Sequence, residues 1–270
     1  MRFDGYFGKW RRGRKERHGE ALTPLATFWA GLSIKITSLT LRDCEAFTGS
    51  DTLKDLDRLS HLIELTSLEL HSCPSLKNLD GLSGCDNLTA LILGGCSSLQ
   101  SMTSLTSLTQ LTSLDLSRCT SLEDLGGLAN CKKLTSLQLV GCGSRLRLDT
   151  LPSLTQLTSL TLAQSKSLQY VDGLSNCKNL ASLDLSYCAS LENLDGLANC
   201  QNLTTLNLWG CSSLQSLDGL SNLTRLKSLL LGGANGLPTD LNLNGLGNLK
   251  CLEVSKDWRG GDVGDVVGWF

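Results

Sequence analysis

Leucines return along this chain at a fixed interval. The segment Leu65-Thr-Ser-Leu68-Glu-Leu70-His-Ser-Cys73 recurs at Leu88, Leu111, Leu134, Leu157, Leu180, Leu203, Leu226 and Leu249, every step being 23 residues. An earlier copy opens at Ile36, with Leu39, Leu41 and Cys44, and its distance to Leu65 places about six extra residues near 48–54. Such self-similarity marks a repeat architecture. Numbered from its opening residue, the consensus unit carries Leu at positions 1, 4, 6, 12, 15 and 18, a small residue or Cys at 9, and Cys or Leu at 21. Rung 1 opens at Ile36, rung 2 at Leu65 and rung 10 at Leu249.

Two periods coexist in the unit. Leu183 and Leu185 alternate, which predicts a short strand with one buried face. From position 12 the apolar residues step strictly by three, through Leu191, Leu194, Leu197, Cys200, Leu203 and Leu206. An amphipathic α-helix would mix steps of three and four. Pure threes predict 3-10 turns or extended, polyproline-like backbone. Asp80-Gly81, Asp172-Gly173, Asp195-Gly196 and Asp218-Gly219 read as turns, Gly supplying positive φ and Asp bonding the local backbone.

No rung can bury its own leucines, so rungs must stack. Each buried Leu then contributes roughly 1.5–3 kcal/mol. The expected fold is an α/β repeat solenoid: a horseshoe with a parallel concave β-sheet of about ten strands and short 3-10 or extended convex arms. At ~4.8 Å per strand the sheet would run ~45 Å.

Aromatic residues are 5% of the chain, so the core must be aliphatic. The net charge of −2 predicts no global attraction to nucleic acid or anionic membrane. Charge is unevenly spread, though: residues 1–20 hold seven Lys/Arg against three acids, leaving 17 and 23 in the rest. No apolar run is long enough to span a bilayer. The stretch Leu22–Ile34 lacks an Ala-x-Ala cleavage site and carries Pro24, which argues against a signal peptide. The Asn-x-Thr sequons at Asn87, Asn202 and Asn222 read as products of the repeat consensus rather than glycosylation sites.

Twelve cysteines invite a chemical reading. Cys44, Cys73, Cys96, Cys119, Cys142, Cys188 and Cys211 share position 9 with Ser165 and Ala234, a place for a small core side chain. Cys85, Cys131, Cys177 and Cys200 share position 21 with Leu108, Leu154 and Leu223, an apolar place, and Cys251 lies off the grid. Free Cys satisfies both demands. Zinc would need closely spaced pairs such as Cys-x-x-Cys, which are absent from the sequence. The reading is a reduced structural ladder in a reducing, cytoplasmic compartment. The three histidines, His18, His61 and His71, form no catalytic or metal-ligand pattern. The chain is therefore expected to be no enzyme and to need no cofactor or metal.

The unit resembles the leucine-rich-repeat family over about residues 36–256. Its short repeats are similar to internalin and protein-phosphatase-regulator arrays, with one extra residue per turn. Gly-Cys-Ser-Ser-Leu at 95–99 and 210–214 resembles the repeats of plant intracellular immune receptors. The chain departs from both in carrying Cys where most members carry Asn. The resemblance implies a protein-interaction module, a receptor sensor or an adaptor, with a protein partner on the concave face. Two alternatives are a secreted or surface adhesin of internalin type and a regulatory subunit of an enzyme.

Positions 5, 7 and 8 are read as the outward-facing ones, and most are small and polar. Tyr187 and Trp209 stand out, on adjacent rungs, with Asp184 and Asn207 beside them. An aromatic pair rimmed by polar groups is how binding hot spots are built. Gly210 is read as leaving the face of Trp209 open. Asp115, Arg118, Glu69 and His71 complete the candidate surface. The expected organisation is a basic tail over 1–20, an N-terminal cap over 21–35, the repeats over 36–256 and a C-terminal cap or tail over 257–270. Any contact with nucleic acid is assigned to the basic tail.

Overall fold

The computed structural model describes residues 36–42, 56, 59–143, 146–148, 151–238 and 243–254. The basic tail, both caps and the insertion near 48–54 lie outside these residues. Ten strands form one parallel sheet in chain order: β1 (Ser38–Arg42), β2 (Ser67–His71), β3 (Ala90–Ile92), β4 (Ser113–Asp115), β5 (Ser136–Gln138), β6 (Ser159–Thr161), β7 (Ser182–Asp184), β8 (Thr205–Asn207), β9 (Ser228–Leu230) and β10 (Cys251–Glu253). Each residue pairs with its equivalent one rung on, as in Leu114↔Leu137 and Leu183↔Leu206. The register is fixed because a one-residue slip would turn every buried Leu outward.

From β3 onward the strands span only positions 3–5, so positions 7 and 8 lie in the turn beyond the strand. Backbone pairing continues there. The Leu93 N–H donates to the Asp115 carbonyl at 2.8 Å, and the Arg118 N–H to the Val140 carbonyl at 2.7 Å. In rungs 2 to 9 position 8 has positive φ: Ser72 (54°), Gly95 (79°), Arg118 (63°), Gly141 (62°), Gln164 (63°), Tyr187 (60°), Gly210 (74°) and Gly233 (72°). This left-handed corner turns the chain out of the sheet. On the entry side, the position-2 hydroxyls of Thr89, Thr112, Thr135 and Thr158 each donate to the position-2 carbonyl of the preceding rung, at 3.0–3.1 Å.

The convex arms are 3-10 turns, including Asp80–Leu82, Gly126–Asn130, Asp172–Leu174, Asp195–Leu197 and Asp218–Leu220. The glycine at position 17 differs from expectation. Gly173, Gly196 and Gly219 do not have positive φ. Instead, a Cβ on Gly196 or Gly219 would collide with the carbonyl of Val171 or Leu194, the position-15 residue one rung back. Close approach of neighbouring arms, rather than a left-handed turn, requires Gly here. The local side-chain bond also comes from position 14 rather than from the Asp: Asn78 Oδ1 accepts the Asp80 N–H at 3.1 Å, and Asn193 Oδ1 the Asp195 N–H at 3.2 Å.

The core is one continuous leucine column. Leu68, Leu70, Leu76, Leu79 and Leu82 of rung 2 are fully buried, and the equivalents in rungs 3, 4, 7 and 8 are buried too, while Leu168 of rung 6 is only partly so. Both cysteine columns lie in it. The Cys119 thiol donates to the Leu93 carbonyl at 3.3 Å and the Cys211 thiol to the Leu185 carbonyl at 3.1 Å, each reaching position 6 of the rung before. Cys85 and Cys200 do the same at position 18, to Leu59 and Leu174, at 3.5 Å. These thiols fill a small space and tie one rung weakly to the last. Cys73 is an exception to the reduced ladder, being disulfide-bonded, whereas ten other cysteines are free.

Candidate functional site

The strands hold positions 3 and 5 on the concave floor, and the left-handed corners carry positions 7 and 8 along its edge. Position 3 was missed in the sequence reading. Its pairing runs from Ser113 through Ser136, Ser159 and Ser182 to Thr205 and Ser228, a column of small hydroxyl side chains that leaves the floor open. The signal was present, since Ser stands at position 3 in seven of the ten units.

The position-5 residues have structural work. Asp115 Oδ1 accepts the Ser117 N–H and Asp184 Oδ1 the Ser186 N–H, both at 2.8 Å, while Asn207 Oδ1 accepts the Trp209 N–H at 3.0 Å. Each satisfies the position-7 N–H that the ladder leaves over. Asn207 thereby fixes the backbone that carries Trp209. Glu69 accepts a bond from the Thr40 hydroxyl at 3.3 Å, and its Oε2 lies 3.6 Å from His71 Nε2.

Four large side chains on the edge, His71, Arg118, Tyr187 and Trp209, share one arrangement: each lies against the glycine at the same position of the next rung. A Cβ on Gly94 would stand 3.8 Å from His71 Nδ1, one on Gly141 4.0 Å from Arg118 Cγ, and one on Gly210 2.8 Å from Tyr187 Cδ1. A Cβ on Gly232 would overlap the six-membered ring of Trp209. This corrects the expected role of Gly210, which seats Tyr187 and not Trp209; the face of Trp209 is covered by Gly232. Trp209 is half-buried as a result, while Tyr187 remains 53% exposed. The other exposed large hydrophobics among the described residues, Ile63 and Tyr170, lie away from this edge, at positions 22 and 14.

Tyr187 and Trp209 are brought together: the Tyr187 N–H donates to the Trp209 carbonyl at 2.6 Å. Arg118 and Asp115 sit three rungs before Tyr187, and Glu69 and His71 two rungs earlier still, along the same face.

Burial holds the ladder cysteines as thiols. It pushes Cys96, Cys131 and Cys177 up to about 11, and Cys142, Cys188, Cys200 and Cys211 up to about 12. A thiol held protonated in this way is a poor nucleophile at neutral pH. Asn87 and Asn202, at position 23, use their side-chain amides on the Ile63 and Lys178 carbonyls, both at 2.9 Å. Asn222 falls at position 20, a different place in the unit. Among the described residues no helix is long and apolar enough to cross a membrane.

Residues 56–120 match a family described as Zer-1-like leucine-rich repeats, and residues 141–235 a BspA-type leucine-rich-repeat region. No curated protein sequence matches. Among solved structures, the leucine-rich-repeat domain of the type III effector XopL is similar at 23% identity and TM-score 0.59, over 92% of this chain and 86% of that one. The TLR13–ssRNA13 complex matches at 20% identity and TM-score 0.63, over 82% of this chain and 36% of that one. Internalin C2 from Listeria monocytogenes matches at 21% identity and TM-score 0.51, over 82% and 81%. With its 23-residue rungs, ten-stranded parallel sheet and 3-10 arms, the chain is a leucine-rich-repeat protein.

Proposed function

We propose that the chain is a protein-interaction module that docks a protein partner on its concave side, centred on Tyr187 and Trp209, with Asp184, Asn207, Asp115, Arg118, Glu69 and His71 around them. The observation that carries this reading is the pair itself: an exposed Tyr187 beside a Trp209 seated on Gly232. A half-buried, pre-positioned aromatic loses little freedom on binding, and that favours affinity. The open hydroxyl floor at position 3 leaves room for the partner. The test is affinity capture with the wild-type chain and with Trp209→Ala/Tyr187→Ala, followed by affinity measurement on the protein recovered. A loss of tenfold or more, roughly what a hot-spot residue supplies, supports the reading. Affinity within about threefold, under 1 kcal/mol, overturns it.

One observation favours a second reading, a secreted or surface adhesin: Cys73 is disulfide-bonded. Nine buried free cysteines weigh towards a reducing, cytoplasmic setting instead. Thiol counting on protein purified from its own cells under denaturing, alkylating conditions decides between them. Protection of Cys73 from alkylation supports the oxidising compartment, and full reaction supports the cytoplasmic one.

A further inference from the structure

The left-handed corner at position 8 costs an L-residue energy that glycine avoids. This chain has the cheaper solution available and uses it at Gly95, Gly141, Gly210 and Gly233. At Arg118, Gln164 and Tyr187 a large side chain is kept in the same conformation, with φ of 63°, 63° and 60°. Among the described residues their side chains gain no polar contact in return. All three are exposed, and none makes a side-chain hydrogen bond or ion pair within the described residues. Residues held in unfavourable backbone regions cluster where ligands bind.

We propose that Arg118, Gln164 and Tyr187 form the specificity-determining line of the concave edge. The line reads an extended peptide segment carrying a carboxylate about four residues from an aromatic or large aliphatic side chain. This rests on the reading of the edge as a protein-docking face and says which chemistry it selects.

The geometry sets the spacing. Arg118 and Tyr187 are three rungs apart, about 14 Å at the ~4.8 Å strand interval. An extended chain covers that distance in about four residues at ~3.3–3.6 Å each. Arg118 offers an unpaired guanidinium, whose fork matches a carboxylate. Gln164 and Arg118 converge over Gly141: the position of a Cβ there lies 3.7 Å from Gln164 Oε1 and 4.0 Å from Arg118 Cγ. The Gln164 amide, held over the half-buried Gly141, can both donate to a peptide backbone and accept from it. Tyr187, with Trp209 on the next rung, supplies the apolar end.

The test uses a phage-displayed library of random 12-residue peptides, selected on the wild-type chain. Selected peptides are then measured on Arg118→Gly/Gln164→Gly/Tyr187→Gly and on Trp209→Ala. Glycine already occupies this corner in four rungs, so the triple variant keeps the fold, which its thermal melt checks. Peptides with Asp or Glu about four residues from Phe, Tyr, Trp or Leu, weakened about tenfold or more on the triple variant, support the proposal. Peptides that bind the triple variant within about threefold overturn it. If those peptides are lost on Trp209→Ala, the docking face stands and the selecting line falls. If the wild-type chain selects no peptide, both fall.

Discussion

The indole of Trp209 lies on Gly232, the residue one rung ahead at the same position, so closely that a single methyl there would overlap its ring. Trp209 is thus held by an absence of side chain in its neighbour. Gly232→Ala is expected to dislodge the indole and destabilise the chain by about 1–3 kcal/mol, the usual penalty of overpacking. In a Trp209→Ala background the same change should cost almost nothing. A double-mutant cycle by urea unfolding measures the difference, and additive costs would show that the two residues do not touch.

The corner conformation predicts a stabilising change. Arg118→Gly and Gln164→Gly relieve positive φ and should leave stability equal or raise it by up to about 1 kcal/mol, after the entropy cost of glycine in the unfolded chain. Gly141→Ala introduces the same strain where it is absent and should cost about 1–2 kcal/mol. Thermal melts of the three variants give the order, and a destabilised Arg118→Gly would refute the account of the corner.

The two cysteine columns should tolerate substitution differently. Leu already stands at position 21 in Leu108, Leu154 and Leu223, so Cys200→Leu is expected to cost less than about 1.5 kcal/mol. Position 9 accepts only small residues, so Cys211→Leu should cost about 1–3 kcal/mol. Equal losses in denaturant midpoint would contradict the distinction.

Alkali should unfold the chain. The buried thiols have folded-state pKa values raised by burial to about 11–12. An unfolded Cys ionises near ~8.5. Above that value the unfolded state sheds protons that the folded state keeps, so stability falls with rising pH. The ladder's contribution is therefore complete below about pH 8.5 and is lost as pH climbs towards the folded values. Urea midpoints across pH 7 to 11 should show a plateau followed by a decline. Replacing Cys119, Cys142, Cys188 and Cys211 with Ala should flatten that decline.

Much of the fold was legible in the sequence because burial repeats in register. Leu68, Leu70 and Leu76 announce their positions through their equivalents in most later rungs, and steps of three exclude an α-helical arm. The corner was not legible. Position 8 reads Ser72, Gly95, Arg118, Gly141, Gln164 and Tyr187, and only the glycines hint at positive φ. The seat of Trp209 was misassigned to adjacent Gly210 because contact in a solenoid runs between residues 23 apart, not between chain neighbours. His71 over Gly94 and Tyr187 over Gly210 follow the same offset, so the rule becomes readable once one case is known. The Asp-Gly pairs misled for a related reason: Gly196 answers to the carbonyl of Val171 on the preceding arm, which no local motif reveals.

The seating of Trp209 on the following rung also bears on how such an array can grow by duplication. A single copied rung inserted after Trp209 would separate the indole from Gly232 and set it against whatever the copy carries there. A copied pair of rungs, running from Leu203 through Asn248, carries the indole and its glycine together. The smallest unit that carries both the indole and its glycine is therefore two rungs, although the smallest unit that folds into the stack is one.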